Sequence, residues 1–191
     1  MLGVVVLALG VVGPALRGSA VDGVKLVAET AKTAELGDAV AVSGDLAVVG
    51  APNDKVGDVR SGAAYVFRRL EEGPWIQTAK LAASDGSVGE RFGEVVAIDG
   101  DTLVVQAGRG TVTEGVSGAA YVFEILPGET DAWQEVAKLA PSAIESGESF
   151  GQRLALEGDV VVASALEIIE TEYVGTVYIF GRDEGGEGQW G

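Results

Sequence analysis

An all-β chain built of repeated four-stranded antiparallel units is the fold this sequence predicts, and three observations carry the prediction. One block of sequence occurs three times in register, its apolar runs have strand length, and Gly-Asp pairs between those runs mark tight turns. The copies share Lys-Leu (Lys25-Leu26, Lys80-Leu81, Lys138-Leu139), then Leu36-Gly37, Phe92-Gly93 or Phe150-Gly151, and then Gly44-Asp45, Gly100-Asp101 or Gly158-Asp159. Each continues to an aromatic run: Ala63-Ala64-Tyr65-Val66-Phe67, Ala119-Ala120-Tyr121-Val122-Phe123, and Thr176-Val177-Tyr178-Ile179-Phe180. Trp75, Trp133 and Trp190 follow. The lysines set periods of 55 and 58 residues, giving repeats over 25–79, 80–137 and 138–191, the last one incomplete.

In the middle copy, Val95–Ile98 and Leu103–Val105 are apolar runs joined through Asp99-Gly100-Asp101, a hairpin turn in which glycine supplies positive φ. Ala119–Ile125 is a third strand and Trp133–Leu139 a fourth. The connections Gly108–Val116 and Ala140–Ser149, rich in Gly, Ser, Thr and Glu, are expected as surface loops. Val27–Leu36 reads locally as a short helix. Its equivalents, Ala82–Phe92 and Ala140–Phe150, contain Ser, Gly and Pro at helix-breaking positions, so all three are read as loops. Continuous apolar character in the first strands means sheets covered on both faces, which describes the blades of a β-propeller.

Composition excludes much chemistry. With no Cys and no His there is no thiolate nucleophile, no Ser-His-Asp triad, and no soft metal site. A formal net charge of −16 repels phosphate backbones and anionic lipid, so nucleic acid is not an expected partner. The same charge suits solubility, or attraction to Ca²⁺ or a basic partner.

Residues 1–20 read as a signal peptide. Leu2–Leu16 is apolar and too short to span a bilayer, and Gly18 and Ala20 place small residues before a cut after Ala20. No Lys or Arg precedes the run, which leaves an upstream start codon or a buried strand as alternatives. No other segment could cross a membrane as a helix.

With Phe-Gly in two copies, Gly50-Ala51-Pro52 in the first, and Gly-Ala-Ala-Tyr-Val-Phe in two, residues 25–191 resemble the FG-GAP repeat family. This is the repeat of the integrin α-subunit propeller and of many secreted bacterial proteins. The resemblance implies a β-propeller, often seven-bladed, located outside the cell or on its surface and acting in adhesion or ligand binding. Integrin-type repeats carry a calcium loop of the form D-x-D-x-D-G-x-x-D; here only Ser43-Gly44-Asp45, Asp99-Gly100-Asp101 and Glu157-Gly158-Asp159 stand in its place. Such turns cannot supply the roughly six to eight oxygens that Ca²⁺ requires. Three blades do not close a ring, since propellers have roughly four to eight, so the chain reads as a fragment whose partners include the remaining blades.

The remaining metal candidate is the loop holding Asn53, Asp54 and Asp58, with Lys55 and Arg60 beside it. Asp45, Asp101 and Asp159 are expected to satisfy backbone N–H groups in their turns. The recurrent Tyr and Trp positions are expected to pack the blades, because a ligand needs one site and a fold needs every blade. Glu167–Glu172 reads as a charged loop, and no carboxylate pair is distinguished, so no catalytic residue is assigned. The expectation is a non-enzymatic binding module that takes a protein or glycan at its blade loops. A carboxylate-dependent polysaccharide enzyme and a ligand-free scaffold are the alternatives.

Overall fold

The computed structural model describes residues 23–28, 34–71, 73–113, 116–141, 149–169, 172–186 and 188–191. The signal-peptide reading of residues 1–20 lies outside them. Among the described residues there are eleven strands and no helix. The first blade is an antiparallel sheet in the order β1 (Val40–Ser43), β2 (Leu46–Ala51), β3 (Ala63–Arg69), β4 (Trp75–Leu81). The second runs through β5 (Phe92–Asp99), β6 (Thr102–Thr113), β7 (Val116–Ile125) and β8 (Trp133–Leu139). The third contains β9 (Ser149–Glu157), β10 (Val160–Ile169) and β11 (Glu172–Gly181). Its fourth position is opened by Trp190, which pairs with Arg182 in the register of Arg69 with Trp75 and Ile125 with Trp133. Lys80 and Leu81, which begin the second sequence copy, are the last residues of β4.

The Gly-Asp turns form as expected, with φ of 58°, 53° and 53° at Gly44, Gly100 and Gly158. Two connections differ from the sequence reading. Gly108–Thr113 continues β6, and Val116 opens β7, so this stretch is a hairpin arm with Thr111 opposite Ser117. Glu167–Ile169 likewise extends β10 and pairs with the start of β11. Thr, Val, Ile and Tyr in both arms favour the extended backbone, so the ladder runs past the point where the repeat pattern ends.

The core lies between sheets. Successive residues of each strand point to opposite faces, and in the middle blade both faces are buried. Leu103, Val105, Tyr121 and Phe123 meet Leu46, Val48, Ala64 and Val66 of the first blade. Val104, Ala120, Val122 and Leu139 face the other way, onto Phe150, Val161, Ala163 and Trp190 of the third. The first blade's other face, with Val49, Tyr65 and Phe67, is covered by Ala34, Leu26 and Leu36 from the segment before β1. The phenylalanine of each Phe-Gly pair packs edge-on against two aromatics of its own blade. Phe92 meets Tyr121 and Phe123 at 5.6 and 6.0 Å, and Phe150 meets Tyr178 and Phe180 at 5.9 Å each.

Backbone contact closes the seams. Gly62 has φ +91°, and a Cβ there would lie 2.2 Å from the carbonyl oxygen of Phe92; Gly118, with φ +97°, stands in the same relation to Phe150, also at 2.2 Å. These glycines let the entrance to each third strand lie against the Phe-Gly of the next blade. Gly62 and Phe92 form a parallel bridge, and Ser117 with Ser149 a second, which ties blades two and three into one continuous sheet. At the opposite end the turns are stapled in series. The N–H of Gly100 donates to Ser43 Oγ at 3.0 Å, and that of Gly158 to Asp99 Oδ2 at 2.7 Å.

The outward face of the third blade contrasts with its equivalents. Val177 and Ile179 are 63% and 71% exposed, whereas Ala64 and Val66, Ala120 and Val122 at the same positions are fully buried. Covering apolar sheet surface is favourable by about 25 cal/mol per Å², so the chain is expected to self-associate through this face. Val177→Asp with Ile179→Asp should yield a monomer in sedimentation whose melting transition no longer depends on protein concentration; self-association that persists would mean that another surface drives it. For the seam, Gly118→Ala should destabilise by about 3 kcal/mol or more, from backbone collision plus strain. Gly158→Ala, with open space around it, should cost only about 1–2 kcal/mol from its left-handed backbone. Urea denaturation compares the two directly.

Candidate functional site

Three kinds of polar construction stand out: a Tyr–Asp–Lys cluster in the first two blades, arginines near the Gly-Asp turns, and a cleft in the second seam.

The cluster arises from register. Tyr65 on β3 is the cross-strand partner of Lys80 on β4, and Tyr121 on β7 that of Lys138 on β8. Partners share one face of the sheet, so each ammonium lies over a phenol ring, at 5.4 and 5.2 Å from its centroid. An aspartate completes each cluster from a different part of the chain. In the first blade Asp54, in the β2–β3 connection and 2% exposed, accepts the Tyr65 hydroxyl and lies 3.0 Å from Lys80 Nζ. In the second blade Asp85, from the linker after β4, accepts the Tyr121 hydroxyl at 2.8 Å and Lys138 at 2.6 Å. Burial first, and then the hydrogen bond to aspartate, pushes both phenols well above their ordinary range. Lys138 holds the Asp85 carboxyl below the usual carboxylate range, helped by Tyr121 and opposed by partial burial.

The structure does not bring the metal candidates together. Asp54 turns inward to Tyr65 and Lys80, Asn53 Oδ1 faces Arg91 Nη1 at 3.5 Å, and Asp58 is exposed. The Lys80 ammonium occupies the position that a cation on Asp54 would take, so these residues do not fit Ca²⁺. Among the described residues no three carboxylates converge as a metal site.

The turn aspartates also differ from expectation. Their main-chain carbonyls accept the N–H of Arg69, Ile125 and Arg182 at 2.7, 3.1 and 2.9 Å. The carboxylates of Asp45 and Asp159 instead hold Arg68 and Arg182, at 3.0 and 2.6 Å. Those guanidiniums cross the seams, Arg68 to Asp131 at 2.9 Å and Arg182 to Glu124 at 2.7 Å. A flexible long cation reaches the neighbouring blade, which a short carboxylate on a tight turn cannot.

The cleft, of about 370 Å³, lies between blades two and three and is lined by Glu94, Val95, Gln106, Gly108, Ser149, Gln152 and Arg153. Glu94 follows the glycine of the Phe-Gly pair on β5, and Gln152 that on β9. In both strands this glycine sits in a bulge, with φ +96° at Gly93 and +80° at Gly151, where the pairing with the next strand shifts register. The recurrent motif is therefore a phenylalanine that plugs the seam, followed by a glycine that kinks the inner strand.

Three stretches match the family model of the FG-GAP repeat: residues 21–67, 75–123 and 133–180. The chain belongs to the FG-GAP repeat family. No curated protein matches it. In FG-GAP terms Phe92-Gly93 and Phe150-Gly151 are the family's first signature, and Gly50-Ala51-Pro52 is the second, kept in one blade only. Among the described residues no helix is long and apolar enough to cross a membrane. The recurrent aromatics of the FG-GAP units are packing residues here: Tyr65 and Tyr121 are buried, and Tyr178 packs on Phe150. The Tyr–Asp–Lys cluster escaped the sequence reading, although a signal existed in the Tyr and Lys that recur in both copies. The aspartate could not have been found, because it comes from two unrelated loop positions.

Two tests follow from the cluster. Asp54→Ala leaves Lys80 and the Tyr65 hydroxyl without their shared acceptor, and because Lys80 is one-third exposed the cost should be about 2–3 kcal/mol, below that of a fully buried pair. The depressed pKa of Asp85 contributes stability above the unfolded value of about 4, which is lost as pH falls through the folded value. Asp85→Asn should therefore melt lower than the parent at pH 7, with the two curves converging in acid. A constant difference at every pH would assign the effect to packing. EDTA should leave both proteins' melting temperatures unchanged.

Proposed function

We propose that this FG-GAP protein is a non-enzymatic, extracellular binding module whose ligand is a protein with a basic surface, held at the rim where the long connections emerge. In each blade the Gly-Asp turn and the short β3–β4-type turn lie at one end, while the β2–β3-type connections and the linkers between blades lie at the other. The observation that carries the reading is at that second end. The β10–β11 hairpin extends beyond the repeat pattern and presents Tyr173 71% exposed, beside Val174. Tyr173 lies on the strand face that also carries exposed Val177 and Ile179, so the rim is continuous with that uncovered face, and Tyr is enriched where proteins recognise one another. A net charge of −16 favours basic partners and would steer their approach. The apolar run before Ala20 fits export, and the absence of Cys and His from the chain agrees with a role without catalysis. The seam cleft offers a single carboxylate, Glu94, one oxygen of which is engaged by Arg91 at 3.1 Å; this does not favour a glycosidase pair.

Immobilised protein should bind hen lysozyme and polylysine in preference to serum albumin, with affinity falling as salt rises. Tyr173→Ala should weaken lysozyme binding about tenfold or more without moving the melting temperature. Unchanged binding would remove the hairpin from the interface, and release of reducing ends from a polysaccharide panel would overturn the non-enzymatic reading. Expressed with its first twenty residues in a secreting host, the protein should be recovered from the medium beginning at Val21.

A further inference from the structure

The two seams are built to one plan, and the second departs from it at two positions that face each other. In the first seam Gly50 of β2 meets the bulge of the next blade so closely that a Cβ would lie 1.9 Å from the Gly93 carbonyl oxygen. Arg91, just before the phenylalanine, fills the space beside it, held by Glu94 and Glu35 at 3.1 and 3.6 Å. In the second seam Gln106 replaces the glycine and Ser149 replaces the arginine. The Gln106 side chain now stands between β6 and the next bulge, its Cγ 2.7 Å from where a Cβ on Gly151 would be. With these two exchanges the second seam holds the cleft between Gln106 and Ser149.

The cleft is chemically unfinished. Gln106 is 2% exposed; its Nε2 donates to the Phe150 carbonyl at 3.3 Å, which fixes the amide orientation, and its Oε1 is buried with no partner. A buried amide oxygen left without a donor costs about 1–3 kcal/mol, so the position favours whatever brings one. Arg153 is exposed; its Nη1 donates to the Gln152 carbonyl at 2.7 Å, and among the described residues it has no carboxylate within ion-pair distance. Glu94 on the opposite wall brings a negative charge, and Ser149 and Gln152 further polar groups.

The geometry points to a site for a small zwitterion, a free α-amino acid, in the seam between blades two and three. Its carboxylate pairs with the Arg153 guanidinium, and its ammonium donates to Gln106 Oε1 and faces Glu94. The volume suits a ligand of that size with water around it. A neutral polyol would leave the Arg153 charge unanswered, and a simple anion would leave Gln106 Oε1 without a donor. The inference is independent of the rim proposed above, since the cleft lies in the seam and includes neither Tyr173 nor its hairpin.

Calorimetric titration of the full chain with each common L-amino acid at millimolar concentration tests the site, with acetate, methylammonium and sorbitol as partial probes. At least one amino acid should bind saturably while the three partial probes do not. Arg153→Ala and Gln106→Gly should each weaken that binding about tenfold or more. Gln106→Gly places the residue of the first seam beside Ser149 rather than an arginine, so circular dichroism verifies the fold of both variants before binding is compared. Binding of sorbitol in place of amino acids, absence of binding by any amino acid, or binding indifferent to both substitutions would each overturn the proposal.

Discussion

Everything in this molecule depends on how closely one blade's backbone approaches the next. The entrance to β3 and β7 runs against the Phe-Gly of the following blade at a distance that no side chain permits, and Gly62 and Gly118 are the residues that permit it. Once the backbones touch there, Phe92 donates its N–H to the Ser61 carbonyl at 2.8 Å and its ring enters the space between the sheets. Both faces of the middle sheet then exclude water, and small residues such as Ala107, Ala119 and Ala163 suffice to fill the narrow gap. The low aromatic content of the chain follows from the same spacing: a wide core needs large rings, whereas a narrow seam needs few.

Electrostatics divides between holding blades together and satisfying what the fold buries. Among 13 basic residues, Lys80 and Lys138 neutralise aspartates over tyrosine rings, while Arg68 and Arg182 bridge from a Gly-Asp turn to a neighbouring blade. These four cations sit where backbone geometry repeats. The excess of carboxylates is left to loops and strand edges, where water solvates it and like charges discourage unwanted strand pairing.

A repeat fold leaves function to its departures from the repeat. Positions shared by the copies have structural tasks here: the Phe-Gly bulge, the Gly-Asp turn and, in the first two blades, the tyrosine under its lysine. Two positions that differ between copies offer chemistry to a ligand, the extended hairpin carrying Tyr173 and the second seam with its unpartnered Gln106 Oε1. The repeat that makes the fold legible therefore also indicates where recognition can be located.

Strand identity, the Gly-Asp hairpins and the burial of both sheet faces were determined by the sequence, because each rests on local periodicity and on glycine at fixed spacing. The family is equally legible in Phe92-Gly93, Phe150-Gly151 and the aromatic runs. The hairpin arms at Gly108–Thr113 and Glu167–Ile169 were missed, since backbone pairing between strands of mixed polarity leaves no periodic signal. Asp54 looked like a metal ligand for as long as Lys80 was distant in sequence; strand register placed the ammonium 3.0 Å away and changed the reading. The cleft was beyond reach for the same reason, because Gln106 opposing Gly151 is a contact between blades, and only the tertiary packing decides which side chain faces which seam.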